Sequence, residues 1–226
     1  MIIKMPKHEP RTYLTLSAVE AFQKYWTESE RLIGDAAHIE ELLEGPKWTP
    51  TTEDEMAEHA ADVHSVRHLH DEIVTPTFRY FAVVALYTIV ERELRRLVDN
   101  LEKEKKAAVS YKEFRGDLFQ QIFTYLKVFR GFSPSGFASY NQIVLLERVR
   151  HCIVHCYGDP TLIEDEKKKL AFLSLNAPKK GLEIFNGLSN RIRPKFIHSS
   201  HTATKAFFIE LFSKIGWKVD DLWLNG

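Results

Sequence analysis

Twelve consecutive residues, Arg148-Val149-Arg150-His151-Cys152-Ile153-Val154-His155-Cys156-Tyr157-Gly158-Asp159, gather two arginines, two histidines, two cysteines and a tyrosine. Three readings suit these types. The first is a metal site. On a helix His151 and His155, four apart, share a face, and so do Cys152 and Cys156. The two pairs lie about 100° apart around the axis. Zinc would need further ligands from elsewhere, Glu91 or another histidine. The glutamate of a zincin HExxH is absent, because Cys152 fills that slot. The second reading is a helix end in a core, with Cys152, Ile153 and Cys156 buried and the other residues on the surface or satisfied. The third is phosphate chemistry. Arg150 offers a permanent charge and a planar fork of donors for a phosphodiester. His155 is of the type that moves protons near neutral pH. Together they suit RNA cleavage without a metal: a base activates the ribose 2′-OH against the adjacent phosphate, and the arginine holds the charge that develops.

The elements that must position this segment read as helices. Val19, Phe22, Tyr25, Trp26, Leu32, Ile33, Ile39, Leu42 and Leu43 recur at helical spacing and predict a first helix from Ser17 to Glu44, ended by Gly45-Pro46. Thr52 with Glu55 forms a capping-box pattern that opens a second, acidic helix to Val74, and Pro76 breaks the chain there. His64 and His68 share a face of that helix, with His59 and His70 nearby, and read as parts of an exposed polar surface. A third helix over 77–105 is the most apolar segment and carries Glu91. Ser110 with Glu113 predicts the start of a fourth helix to Arg130. Gly131 to Gly136 reads as a loop, and Tyr140 to Tyr157 as a fifth helix with the chemistry-bearing residues at its end. Residues 161–175 read as a charged helix, 182–186 and 191–197 as two short strands, and Ser199 to Ile215 as a last helix. Pro194 marks an edge or a break in the second strand. Trp26, Trp48, Trp217 and Trp223 read as core or interface anchors.

Arg150-His151-x3-His155 resembles the Arg-polar-x3-His signature of HEPN domains, helical bundles common in toxin–antitoxin, abortive-infection and other phage-defence systems. The order of elements over 77–215 is also similar: an apolar helix with Glu91, another helix, a loop, then the motif helix. The resemblance implies a homodimeric, metal-independent endoribonuclease acting on RNA. It implies Arg150 on the scissile phosphate, His155 as acid or base, and His151 and Glu91 as helpers. Glu91 as an ordinary surface charge stands beside that reading. Five residues of helix turn through about 500°, which leaves Arg150 and His155 roughly 140° apart. HEPN dimers face two motif copies across their interface, so the resemblance implies a composite site with Arg150 from one subunit and His155 from the other. Arg150-x4-His155-x-Tyr157 also resembles the form found in HEPN toxins paired with a nucleotidyltransferase antitoxin, in which the tyrosine is AMPylated. That makes Tyr157 a candidate regulatory residue; a packing aromatic at a helix end is the reading its own position favours. A second Arg-x4-His, Arg193 to His198, contains Pro194 and falls in a predicted strand, and is set aside.

Composition frames these readings. The 226 residues are 44% hydrophobic and 27% charged, an ordinary globular balance. The formal net charge is zero, but residues 1–75 hold 7 basic and 15 acidic side chains and residues 76–226 hold 24 and 16. Nets of −8 and +8 suggest two halves, an acidic N-terminal helical extension, 1–75, and a basic remainder, 76–226, which the resemblance makes a HEPN-like domain. The extension is a candidate cover for the site. No uninterrupted apolar run reaches the roughly 18 residues of a membrane span. No signal-peptide pattern is present, and two cysteines four apart suit a reducing setting, so a cytoplasmic protein is expected, without a membrane partner. The expected architecture is all-α, a helical bundle with a small late β-hairpin, and no cofactor and no metal are expected. A non-catalytic HEPN-like module that binds RNA or protein is the alternative function.

Overall fold

The computed structural model describes residues 10–34, 50–105, 109–174, 181–185, 189–220 and 223. The fold is all-α. In chain order the helices are α1 (Pro10–Gly34), α2 (Glu53–Leu69), α3 (Thr75–Lys105), α4 (Leu118–Arg130), α5 (Tyr140–Cys156), α6 (Glu166–Leu173) and α7 (Pro194–Ile215). Between α6 and α7, β1 (Leu182–Phe185) and β2 (Ser189–Ile192) run antiparallel with Leu182 opposite Ile192. The expected first-helix residues 35–44, and Trp48, lie outside the described residues.

The long α3 occupies the centre. Val83, Leu86, Val90, Leu94, Leu97, Val98 and Leu101 recur every three or four residues and are essentially inaccessible. Each such side chain contributes roughly 1.5–3 kcal/mol by leaving water. α3 packs against α1, α4, α5 and α7. α7 returns an aromatic stripe, with Phe207 edge-on to Phe208 and Phe208 stacked on Phe212. α1 delivers Leu16, Val19, Phe22 and Trp26 into the same core. It is tied down by Thr15, whose hydroxyl donates to the buried Glu93 carboxylate at 2.9 Å; Arg92 and Arg96 pair with the other oxygen of that carboxylate.

The chain does not break at Pro76. A π-turn (His70–Val74) joins α2 to α3, with the Thr75 N–H donating to the His70 carbonyl five residues back. Proline removes a donor and crowds the carbonyl four residues earlier, and the wider turn just ahead of it absorbs both defects. The charge boundary at residue 75 therefore falls inside one continuous helix. Removing 1–75 would strip α1 from the core, so such a truncation is no clean test of a covering role. α2 is different: none of its residues is buried. The continuous helix Glu53–Glu104 is long and apolar enough to cross a membrane by length and composition. Its best 18-residue window has mean hydropathy 1.6 and is 28% buried. An average over 18 residues admits polar positions that a count of uninterrupted runs does not.

Further boundaries differ from the sequence reading: α1 starts at Pro10, ahead of the expected Ser17, and the helix expected over 161–175 is α6, from Glu166 to Leu173. Ser110 and Glu113 do form a capping box, but it caps a single 3-10 turn, Tyr111–Glu113. Phe114 is then extended, and α4 starts anew with Asp117 accepting from the Gln120 N–H. Pro194 is the first residue of α7, so 194–197 are helical. A proline is tolerated there because the first helical N–H groups have no partner within the helix. The Arg193–His198 pair accordingly sits at a helix start, not in a strand.

α5 ends where Tyr157 and Gly158 turn left-handed, φ 52° and 78°. Gly158 is pressed against Tyr80: a Cβ there would lie 2.5 Å from the Tyr80 hydroxyl and 2.6 Å from its ring carbons. Gly158→Ala is expected to lower the melting temperature by ~3 °C or more, since left-handed strain alone costs about 1 kcal/mol. Tyr80→Phe should not rescue it, because the ring carbons are as close as the oxygen. An unchanged melting temperature in thermal unfolding would contradict this packing.

Candidate functional site

α5 is held by the stripe it buries. Ile143, Leu146, Val149, Cys152 and Cys156 face the core, and both cysteines are free thiols. With that stripe fixed, the 100° step per residue decides where the remaining side chains go. His151 and His155 are both exposed, and their rings lie 4.4 Å apart, centroid to centroid, tilted by 43°. Arg150 leaves the helix on another side. It is half-buried, with its guanidinium carbon 5.4 Å from the centroid of the Tyr87 ring on α3. Its Nε is buried and has no hydrogen-bond partner among the described residues.

Tyr87 is the hub of this second group. Its hydroxyl donates to Glu147 of α5 at 3.3 Å, and its ring stacks on Phe119 of α4. Burial, then the carboxylates of Glu147 and Glu91, push its phenol far above the usual tyrosine range. Glu91 lies one turn beyond Tyr87 on α3, half-buried, with Arg95 at 3.8 Å. The structure thus places Glu91 on the Arg150 side, around Tyr87, and His151 with His155. Within one chain the two halves of the motif point apart, as the helical phase requires.

Tyr157 corrects an expectation. It does not pack: it is 85% exposed, in a left-handed conformation that non-glycine residues seldom adopt. Of the other residues singled out, Trp26 is buried against Phe78, Trp217 is half-buried against Phe212, and Trp223 meets the edge of Tyr13. The His70 ring is hydrogen-bonded to the Ile33 carbonyl. Among the described residues no group of three or more His, Cys, Asp or Glu is arranged to hold a metal.

The sequence reading missed a cleft of about 410 Å³ beside His151. Asp117, Glu147, Arg148, His151, Cys152, Ile163 and Phe172 line it. Burial, then the nearby Asp117 charge, pushes the Glu147 carboxyl above its usual range; the Tyr87 hydroxyl and Arg148 act in the opposite sense. One signal for it lay in the chain: Glu147 stands four residues before His151, hence on the same helix face. Comparison with family models, with curated proteins and with solved structures finds no match for this chain.

A carboxyl whose pKa is raised by folding binds its proton more tightly in the folded state. It therefore costs stability above that pKa and nothing well below the unfolded value, about 4.3. Glu147→Gln keeps an acceptor for the Tyr87 hydroxyl and removes the charge. Its melting temperature is expected to exceed the parent's by ~2–4 °C at pH 7, the equivalent of about 1 kcal/mol, with the gain vanishing towards pH 4. A variant no more stable than the parent at pH 7 would contradict the assigned burial.

Proposed function

We propose that the protein is a metal-independent endoribonuclease that cleaves RNA with the histidine pair at the end of α5. The observation that carries this is the contact of two exposed imidazoles, His151 and His155, at 4.4 Å. Side by side, one neutral ring takes the proton of the ribose 2′-OH and one protonated ring supplies a proton to the departing 5′-oxygen. The 2′-oxygen bonds to phosphorus as the bond from phosphorus to the 5′-oxygen breaks, leaving a 2′,3′-cyclic phosphate and a 5′-hydroxyl. Arg150 binds the phosphate and holds its developing charge. Because Arg150 and His155 diverge by roughly 140° on one helix, the complete site takes Arg150 from one copy and the histidines from a second, a homodimer. Glu91 acts as a positioning residue for the arginine across Tyr87.

The resemblance to HEPN toxins carries the wider setting: a cytoplasmic toxin–antitoxin or phage-defence protein with no metal and no membrane partner. The exposure of Tyr157 supports its reading as the residue an AMP-transferring antitoxin would modify. One observation favours a second reading, a HEPN-like module that binds RNA or protein without cutting: Arg150 lies against the Tyr87 ring, inside its own subunit. Salt-dependent RNA binding with no products would mark that module.

His151→Ala, His155→Ala and Arg150→Ala are each expected to slow cleavage of total cellular RNA and tRNA in excess EDTA by about 100-fold or more. Gel analysis of parent and variants checks this. Variants that cut as fast as the parent would remove the histidine pair from the reaction.

A further inference from the structure

Building on the ribonuclease reading above, we infer that the cleft beside His151 is the base subsite of that site and takes a guanine base.

The cleft has the size of a small-molecule site, about 410 Å³ against a usual range of roughly 300–1,000 Å³. Its walls come from four parts of the chain: Asp117 at the start of α4, Glu147, Arg148, His151 and Cys152 on α5, Ile163 before α6, and Phe172 on α6. Ile163, half-buried, gives apolar surface on which a flat heterocycle can lie, together with the little that the buried Phe172 leaves open. The polar lining is two carboxylates, Asp117 and Glu147, with Arg148 and His151. Glu147 uses one oxygen to accept from Tyr87, and Asp117 uses one to accept from the Gln120 N–H, so both are anchored by hydrogen bonds and keep acceptor capacity on the second oxygen. An ionised carboxylate only accepts. The ligand edge it suits therefore carries adjacent donors and no opposing lone pair. Among the RNA bases that edge is guanine's, where N1–H and the N2 amino group stand side by side. Adenine and cytosine set a bare ring nitrogen beside their amino group, and uracil flanks a single N–H with two carbonyls.

The position of the cleft completes the argument. His151 lines it, and the His151 ring is in contact with His155. A base held in the cleft lies next to His151, from which its ribose can reach the imidazole pair, and the exposed Arg148 lines the same cleft. Asp117 and Glu147 line the same cleft, where the Asp117 charge disfavours ionisation of Glu147, and N–H donors on a ligand offset that repulsion.

The test is titration calorimetry of the full-length protein with the 3′-monophosphates of guanosine, adenosine, cytidine and uridine at pH 7.5 and low salt. Guanosine 3′-monophosphate is expected to bind at least tenfold more tightly than the other three. Glu147→Gln, which replaces one acceptor edge by a donor, is expected to abolish that preference. The four-ligand comparison on the parent decides the matter even if the variant does not fold. Equal affinity for all four, no binding of any, or preference for another base overturns the assignment. The nuclease reading fails separately: guanosine binding with RNA left intact keeps the subsite and removes the reaction, whereas cleavage without guanosine preference removes the subsite alone.

Discussion

The rotation of α5 about its own axis governs the site. Ile143, Leu146, Val149, Cys152 and Cys156 must face the α3 and α7 side of the bundle, and no other rotation buries them together. Once that stripe is seated, a step of 100° per residue sends His151 and His155 to solvent and Arg150 towards Tyr87. The end of the helix is fixed as firmly. Gly158 takes a left-handed turn against Tyr80, a geometry only the absence of a side chain allows. Tyr80 is itself half-buried, and burial pushes its phenol up to about 12. The histidine pair thus hangs on a helix terminus held by packing on one face and by a glycine turn at its end.

Electrostatics divides the two faces. On the Tyr87 side, Arg150, Glu91 and Glu147 surround an aromatic ring in a half-buried setting, where charges act strongly on one another. The Nε of Arg150 is withdrawn from water there without an acceptor among the described residues, an arrangement that a bound phosphate at the guanidinium would improve. On the other face the imidazoles stand open beside a cleft whose carboxylates are anchored by Tyr87 and by the α4 N-terminus. Glu147 joins the two faces, since its side chain both holds Tyr87 and lines the cleft.

Much of the fold was legible in the chain. The three-and-four spacing of apolar residues places α1, α3, α5 and α7, and the Thr52–Glu55 box marks the start of α2. What misled was local chemistry with more than one outcome. A capping box caps any first turn, and at Ser110 it caps a single 3-10 turn. A proline ends a helix unless the turn before it widens, as it does at His70–Val74. At Pro194 it begins one. Of the site, the contact between His151 and His155 follows from their spacing alone. The partners of Arg150 do not, because Tyr87 lies 63 residues away in the chain and meets it only through the packing of α3 on α5. The cleft was hidden in part: Glu147, Arg148, His151 and Cys152 lie together on α5, but Asp117, Ile163 and Phe172 join them only through the packing of other segments. Tyr157 carries the opposite lesson: an aromatic at a helix end is exposed when the chain turns left-handed beneath it.

The central claim is that an imidazole pair cleaves RNA through the ribose 2′-OH. Mass spectrometry of the ends left on a defined RNA, after incubation with the purified protein in excess EDTA, tests it most directly. The account predicts 2′,3′-cyclic phosphate and 5′-hydroxyl ends. Ends bearing a 3′-hydroxyl and a 5′-phosphate, or RNA left whole, would contradict it.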